Sequence, residues 1–222
     1  LTEAEEEKMR LIGMLDSPYV RRVAISLKLM QLPFELDQLS VFRNYAEFEA
    51  INPMVKAPSL VTDDGVMLTD STLILDHAER LAGPARSLMP PQGRARDDAL
   101  HVIGLALAAN EKAVQIVYER NLRPAEKQHQ PWMERVRGQL LKGYAALENE
   151  TARQQSWFGG GRLMQPDVAL ATSWRFSRTL IPDIVTDAQF PHLAAHSARA
   201  EALPAFLETG FSFHPIGGGA KP

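Results

Sequence analysis

At 222 residues and 45% hydrophobic content, the chain is long enough to bury one large core or two small ones. Its 24 basic and 27 acidic residues are interspersed and sum to a net charge of −3, which excludes the electrostatic footprint of a nucleic-acid binder; the adjacent Arg21 and Arg22 are too short a basic run to matter. Cysteine is absent, so disulfides, thiolate metal sites, a CxxC redox pair and a cysteine nucleophile are excluded, and any thiol chemistry must use a sulfur from elsewhere.

The acidic LTEAEEEK, residues 1–8, fits no element and reads as an N-terminal extension, with Met9 a candidate start. It lacks the basic and apolar regions of a signal peptide, and no apolar run approaches the ~20 residues of a membrane span, so the chain reads as soluble and cytoplasmic with no membrane partner. RLIGML (residues 10–15) is an apolar run of strand length. In LDSPYVRR, Ser17 and Pro18 then mark a helix start, Ser as N-cap and Pro at the first helical position. Ser17 is therefore either a cap alone or a hydroxyl that also meets a substrate. Val20, Val23, Ala24, Leu27 and Met30 keep helical spacing until Pro33 ends the helix, about four turns on.

PFELDQLSV reads as a second strand with a one-residue slip, so a right-handed βαβ unit opens the fold. NYAEFEAINP is a short helical connection. PSLVTDDGVMLTD reads as a hairpin turning at Asp63, Asp64 and Gly65. DSTLILDHAERLAG reads as a helix stopped by Gly83 and Pro84. Residues 9–83 are thus one α/β domain, β-α-β then β-β-α. GPARSLMPPQGR contains the linker, residues 84–92, and beyond it strand signals vanish. Two long helices over about 93–122 and 131–153, a break at WFGGGRLMQ, a helix in PDVALATSWRFSRTL and two shorter ones make residues 93–209 all-helical. The glycine-rich end, within 210–222, reads as a tail.

From Met9 to about Thr209 this pattern resembles the cytosolic glutathione S-transferases, specifically serine-type bacterial members. DSPYVRRV, VKAPSL, DST and GRLMQPDVALA carry the resemblance. It implies a thioredoxin-like N-terminal domain that binds glutathione as co-substrate, an all-helical C-terminal domain, and a homodimer with a detoxifying role. Ser17 would donate a hydrogen bond to the glutathione thiolate, making it available for attack on a small organic electrophile. Pro58 would follow a cis peptide bond and expose the Ala57 backbone to the cysteinyl unit. Lys56 and Asn44 would meet the glycyl carboxylate, although Arg43 offers stronger charge complementarity than Asn44. Ser71 would bind the γ-glutamyl carboxylate at a helix N-terminus, and Asp70 the α-amino group. Tyr19 and Asn110 are candidates for the electrophile pocket, expected between the domains; a solvent-facing helix position is the other reading of Asn110.

The resemblance also implies a buried Asp167, but Met164 stands where a Ser or Thr would complete a capping box. His192 and His196 lack the glutamate and third ligand of a metal site, and Gly159, Gly160 and Gly161 lack the context of a phosphate loop, so no metal or nucleotide is expected. A glutathione-dependent isomerase or peroxidase, or a non-catalytic binding module, are the alternative functions on this fold.

Overall fold

A computed structural model describes residues 8–213; most of the expected extension (residues 1–7) and the end of the expected tail (214–222) lie outside the described residues. Residues 8–87 with 209–213 form one compact unit, and 88–208 a second.

The first unit is thioredoxin-like. Strand β1 (Met9–Ile12), helix α1 (Pro18–Leu29) and β2 (Phe34–Asp37) form the expected βαβ unit, β1 and β2 running parallel with Leu11 opposite Leu36. After the short α2 (Tyr45–Ile51) come β3 (Ser59–Val61), β4 (Met67–Thr69) and α3 (Ser71–Arg86). β3 and β4 are antiparallel around the Asp-Gly turn, where Gly65 supplies a φ of +78°. The sheet order is β2-β1-β3-β4, with β3 antiparallel to β1. Val20, Val23, Ala24 and Leu27 of α1 are fully buried, as are Leu11, Ile12, Leu60 and Ile74. The larger of these contribute about 1.5–3 kcal/mol each, enough to fix which face of α1 lies inward.

Element ends differ from the sequence reading for local reasons. β1 stops at Ile12 rather than running to residue 15, because Gly13 turns the chain with a φ of +140°. β2 stops at Asp37, where the Leu39 N–H donates to the Asp37 carbonyl at 2.8 Å, and the slipped pair Leu39 and Val41 falls outside the strand. Gly83 does break α3, at φ +65°, but a further turn from Pro84 completes the element to Arg86.

The second unit is all-helical apart from two isolated bridges at Trp157–Gly160 and Gly159–Arg162. It comprises α4 (Arg94–Leu122), a 3₁₀ turn (Ala125–Lys127), α5 (Gln130–Ala152), α6 (Gln165–Leu180), α7 (Pro191–Glu201) and α8 (Pro204–Leu207). Proline sits in the first turn of α5, α6, α7 and α8, where its missing N–H costs nothing. By length and composition α4 could cross a bilayer, which the sequence reading had excluded. Its buried stripe, including Ala99, Val102, Ala106 and Ile116, packs in a bundle with α5 and α6, the position of a core helix. Tyr144 is buried there edge-on to Trp174, with its hydroxyl 2.7 Å from Ser177 Oγ; burial pushes its pKa up to about 12. Tyr144→Phe is expected to cost about 1 kcal/mol, one net hydrogen bond, read as a small fall in melting temperature.

Asp167 is fully buried. Met164 offers no hydroxyl, but the other half of the capping arrangement forms: Asp167 Oδ2 accepts the Met164 N–H at 2.8 Å, and Oδ1 accepts the Phe158 N–H at 3.0 Å. His196 Nε2 lies 3.1 Å from Oδ1, and its ring stands edge-on to Trp157. His196 is thus a core partner of Asp167, whereas His192 is exposed.

Candidate functional site

Ser17 caps α1 with extended backbone angles (φ −74°, ψ 124°), and Pro18 occupies the first helical position. Its half-buried hydroxyl accepts the Val20 N–H at 3.4 Å, a long and weak contact. The hydroxyl hydrogen meets no acceptor among the described residues, so Ser17 retains a free donor at the positive end of a twelve-residue helix. Such an arrangement favours a bound anion.

The Ala57–Pro58 peptide bond is cis, as expected. Ala57 is half-buried, and its backbone N–H and C=O take no hydrogen bond from the described residues. The loop holding it is braced by Asn52, which sequence reasoning passed over: its Nδ2 donates to Ser59 Oγ at 2.8 Å and its Oδ1 accepts the Met54 N–H at 2.9 Å. Gly13 brings this loop to the Ser17 turn, since a Cβ there would stand 2.6 Å from Val20 Cγ2 and 3.0 Å from the Ala57 Cβ. The signal was a glycine breaking an apolar run. Gly13→Ala is expected to destabilise by about 1–3 kcal/mol through positive φ and overpacking, measured by denaturant unfolding.

Asp70 and Ser71 open α3. Asp70 adopts φ +69°, uncommon for a residue with a side chain, and its Oδ1 accepts the Thr72 N–H at 2.8 Å. Asp70 is exposed and Ser71 buried. Behind them lies Arg22, 2% exposed, whose Nη1 donates to Ser71 Oγ at 3.2 Å and Thr72 Oγ1 at 3.4 Å. Burial pushes its pKa down to about 10, against the charges of Asp70 and Tyr19. Arg21 is also buried, its Nε donating to the Thr209 carbonyl at 2.8 Å. Both arginines are internal, so the pair set aside as too short a basic run to matter is structural. The available signal was their position on α1, between the fully buried Val20 and Val23.

Lys56 is exposed, its ammonium unpaired among the described residues. Asn44 is committed locally: its Oδ1 accepts the Ser40 N–H at 3.1 Å and its Nδ2 donates to Glu47 at 3.2 Å. Arg43 beside it is exposed, with no partner for its guanidinium among the described residues. Tyr19 is half-buried on α1. Asn110, in the second unit, is fully buried rather than solvent-facing, and neither polar atom of its side-chain amide has a partner among the described residues. A separate cavity of about 420 Å³ in that unit is lined by Arg94, Asp98, His101, Glu150 and Arg153, among others, and by none of the expected site residues. Its charges pair internally, Arg94 with Asp98 at 2.7 Å and Arg153 with Glu150 at 2.8 Å.

Residues 11–86 match the N-terminal domain of the glutathione S-transferases and residues 130–199 their C-terminal domain. The chain is 29% identical over 77 residues to glutathione S-transferase U4 of Arabidopsis thaliana, a match covering 35% of the chain and only 34% of that relative. It is 27% identical over 207 residues to maleylacetoacetate isomerase of Pseudomonas aeruginosa, covering 90% of the chain and 94% of the relative. Among solved structures, a glutathione S-transferase from Methylobacterium radiotolerans in complex with glutathione sulfonate superposes with a TM-score of 0.81 at 30% identity, over 91% of this chain and 94% of that one. A thioredoxin-like unit, a helical unit and matches to both family domains converge on one conclusion: the chain belongs to the glutathione S-transferase family.

Proposed function

We propose that this chain is a serine-type glutathione transferase in which Ser17 stabilises the glutathione thiolate for attack on a small organic electrophile. The observation that carries this reading is the uncommitted Ser17 donor at the head of α1, with the unpaired Ala57 backbone on a loop that Gly13 packs against the same turn. Glutathione needs these features together: a donor for its sulfur, a strand-like edge for its cysteinyl unit and an anion site for each end. Ser71 is assigned the γ-glutamyl carboxylate and Asp70 the amino group. Lys56, with Arg43 in place of the locally committed Asn44, is assigned the glycyl carboxylate. Tyr19 and Asn110 are assigned to the electrophile, and a cytoplasmic homodimer is the expected form.

Glutathione bound to the family relative, as its sulfonate, supports the choice of co-substrate. A glutathione-dependent isomerase is the second reading, favoured by the match across 94% of the bacterial maleylacetoacetate isomerase. The same thiolate would add to an activated double bond, allow rotation and leave, regenerating glutathione. Assaying the purified protein with glutathione against a halogenated aromatic, a maleyl-type diacid and cumene hydroperoxide tests both readings. Conjugation with the aromatic supports the first, dominant turnover of the diacid replaces it with the second, and no glutathione-dependent turnover of any of them overturns both.

A further inference from the structure

The chain holds eight methionines and no cysteine, so its only oxidisable sulfurs are thioethers. Met9, Met30 and Met89 are buried. Met164 is held differently. It is the N-cap residue of the sixteen-residue α6, and its side chain faces the Asp167 N–H, where a capping hydroxyl would accept. A thioether is only a weak acceptor, so that N–H is poorly satisfied at the positive end of the helix. The glycine turn fixes the sulfur there: a Cβ on Gly159 would stand 2.5 Å from Met164 Cγ and 3.2 Å from Sδ, so any larger residue would displace the side chain. Met164 is half-buried rather than enclosed, and it lines the cavity of about 420 Å³ in the second unit.

We infer that Met164 is an oxidation site at which hydrogen peroxide converts the thioether to a sulfoxide, and that the new oxygen completes the cap of α6. A lone pair on Sδ attacks one peroxide oxygen, the O–O bond breaks as the S–O bond forms, and the other oxygen leaves with both hydrogens as water. Sulfur is oxidised by two electrons and the peroxide is reduced by the same two. The cavity admits a molecule as small as the peroxide and leaves room for the added oxygen. That oxygen is the negative end of a strong dipole, the complement of a helix N-terminus. Oxidation commonly disrupts the packing around a methionine, but here it supplies the acceptor that the side chain lacks. The completed cap then tightens the junction between the glycine turn and α6 that Asp167 already holds.

Limited hydrogen peroxide treatment of the full chain, read by peptide mass spectrometry and by thermal melts, tests this on wild type, Met164→Leu and Met164→Thr. Met164 is expected to gain an oxygen before the buried Met9, Met30 and Met89 do. Exposed methionines, Met54 foremost, oxidise in all three proteins, so the change in melting temperature on oxidation is compared between them. The change in wild type is expected to lie about 2–4 °C above that in Met164→Leu, the worth of one helix cap in a chain of this size. Met164→Thr carries its oxygen from the start and is expected to melt about 2–4 °C above Met164→Leu before any oxidation. Oxidation of Met164 no faster than that of the buried three overturns the proposal, as does a change on oxidation in wild type equal to or below that in Met164→Leu. Met164→Thr melting no higher than Met164→Leu overturns the capping role. If Met164→Leu lacks the native far-UV circular dichroism, Met164→Thr becomes the reference, and a change on oxidation in wild type equal to or below its own overturns the proposal instead.

Discussion

Replacing Ser17 with alanine is expected to lower kcat/KM for conjugation by about 10- to 100-fold while leaving glutathione binding within about threefold. The loss falls on the chemical step because the hydroxyl donates to the sulfur, and a donor strengthens with the charge on its acceptor. The tripeptide's other contacts, at Ala57, Ser71 and Lys56, survive the substitution. Losing the cap costs about 0.5–2 kcal/mol of stability, so the comparison is made at a temperature where both proteins are folded. Because the Ser17–Val20 contact is long, the lower half of that range is expected. Steady-state kinetics separate the two roles: a pure cap lowers the melting temperature and leaves kcat unchanged, whereas a catalytic hydroxyl lowers kcat.

Asp167→Ala is expected to destabilise the second unit by about 3–5 kcal/mol, the penalty for stranding two N–H donors at ~1–3 kcal/mol each when their buried acceptor is removed. The substitution removes the acceptor of the Met164 and Phe158 N–H groups, which hold the glycine turn to the start of α6, and leaves His196 facing a void. For a chain of this size the fall in melting temperature is about 6–20 °C. Asp167→Asn retains one acceptor oxygen and is expected to lose less. Thermal melts of both variants check the order, and a melting temperature for Asp167→Ala equal to wild type would contradict the role of this residue.

The order of elements was legible because their signals are local. Ser17-Pro18 marks a helix start, Asp-Gly a hairpin and Gly83-Pro84 a helix break, and each works through the backbone of the residues concerned. Strand ends were less legible, since pairing depends on a partner: Leu39 and Val41 alternate correctly, but the chain turns away at Asp37. The buried polar groups were hardest. Arg22, Asn52 and His196 are ordinary surface types by composition, and each is buried because of a partner or neighbour brought to it by the fold. Asn110 shows the same limit, a polar position on α4 compatible with solvent until the bundle enclosed it. In the proposed glutathione site, Ser17, Pro58 and Ser71 were named from the motifs that carry the family resemblance, whereas the arginine behind Ser71 was not.

The most direct test follows the near-ultraviolet absorbance of the glutathione thiolate, bound to wild type and to Ser17→Ala, across pH. A free cysteine-type thiol ionises near ~8.5. On the proposed mechanism, glutathione bound to wild type ionises at least about one pH unit lower, and glutathione bound to Ser17→Ala returns toward the free value. Equal ionisation in the two complexes would contradict it, leaving Ser17 as the cap of α1 and nothing more.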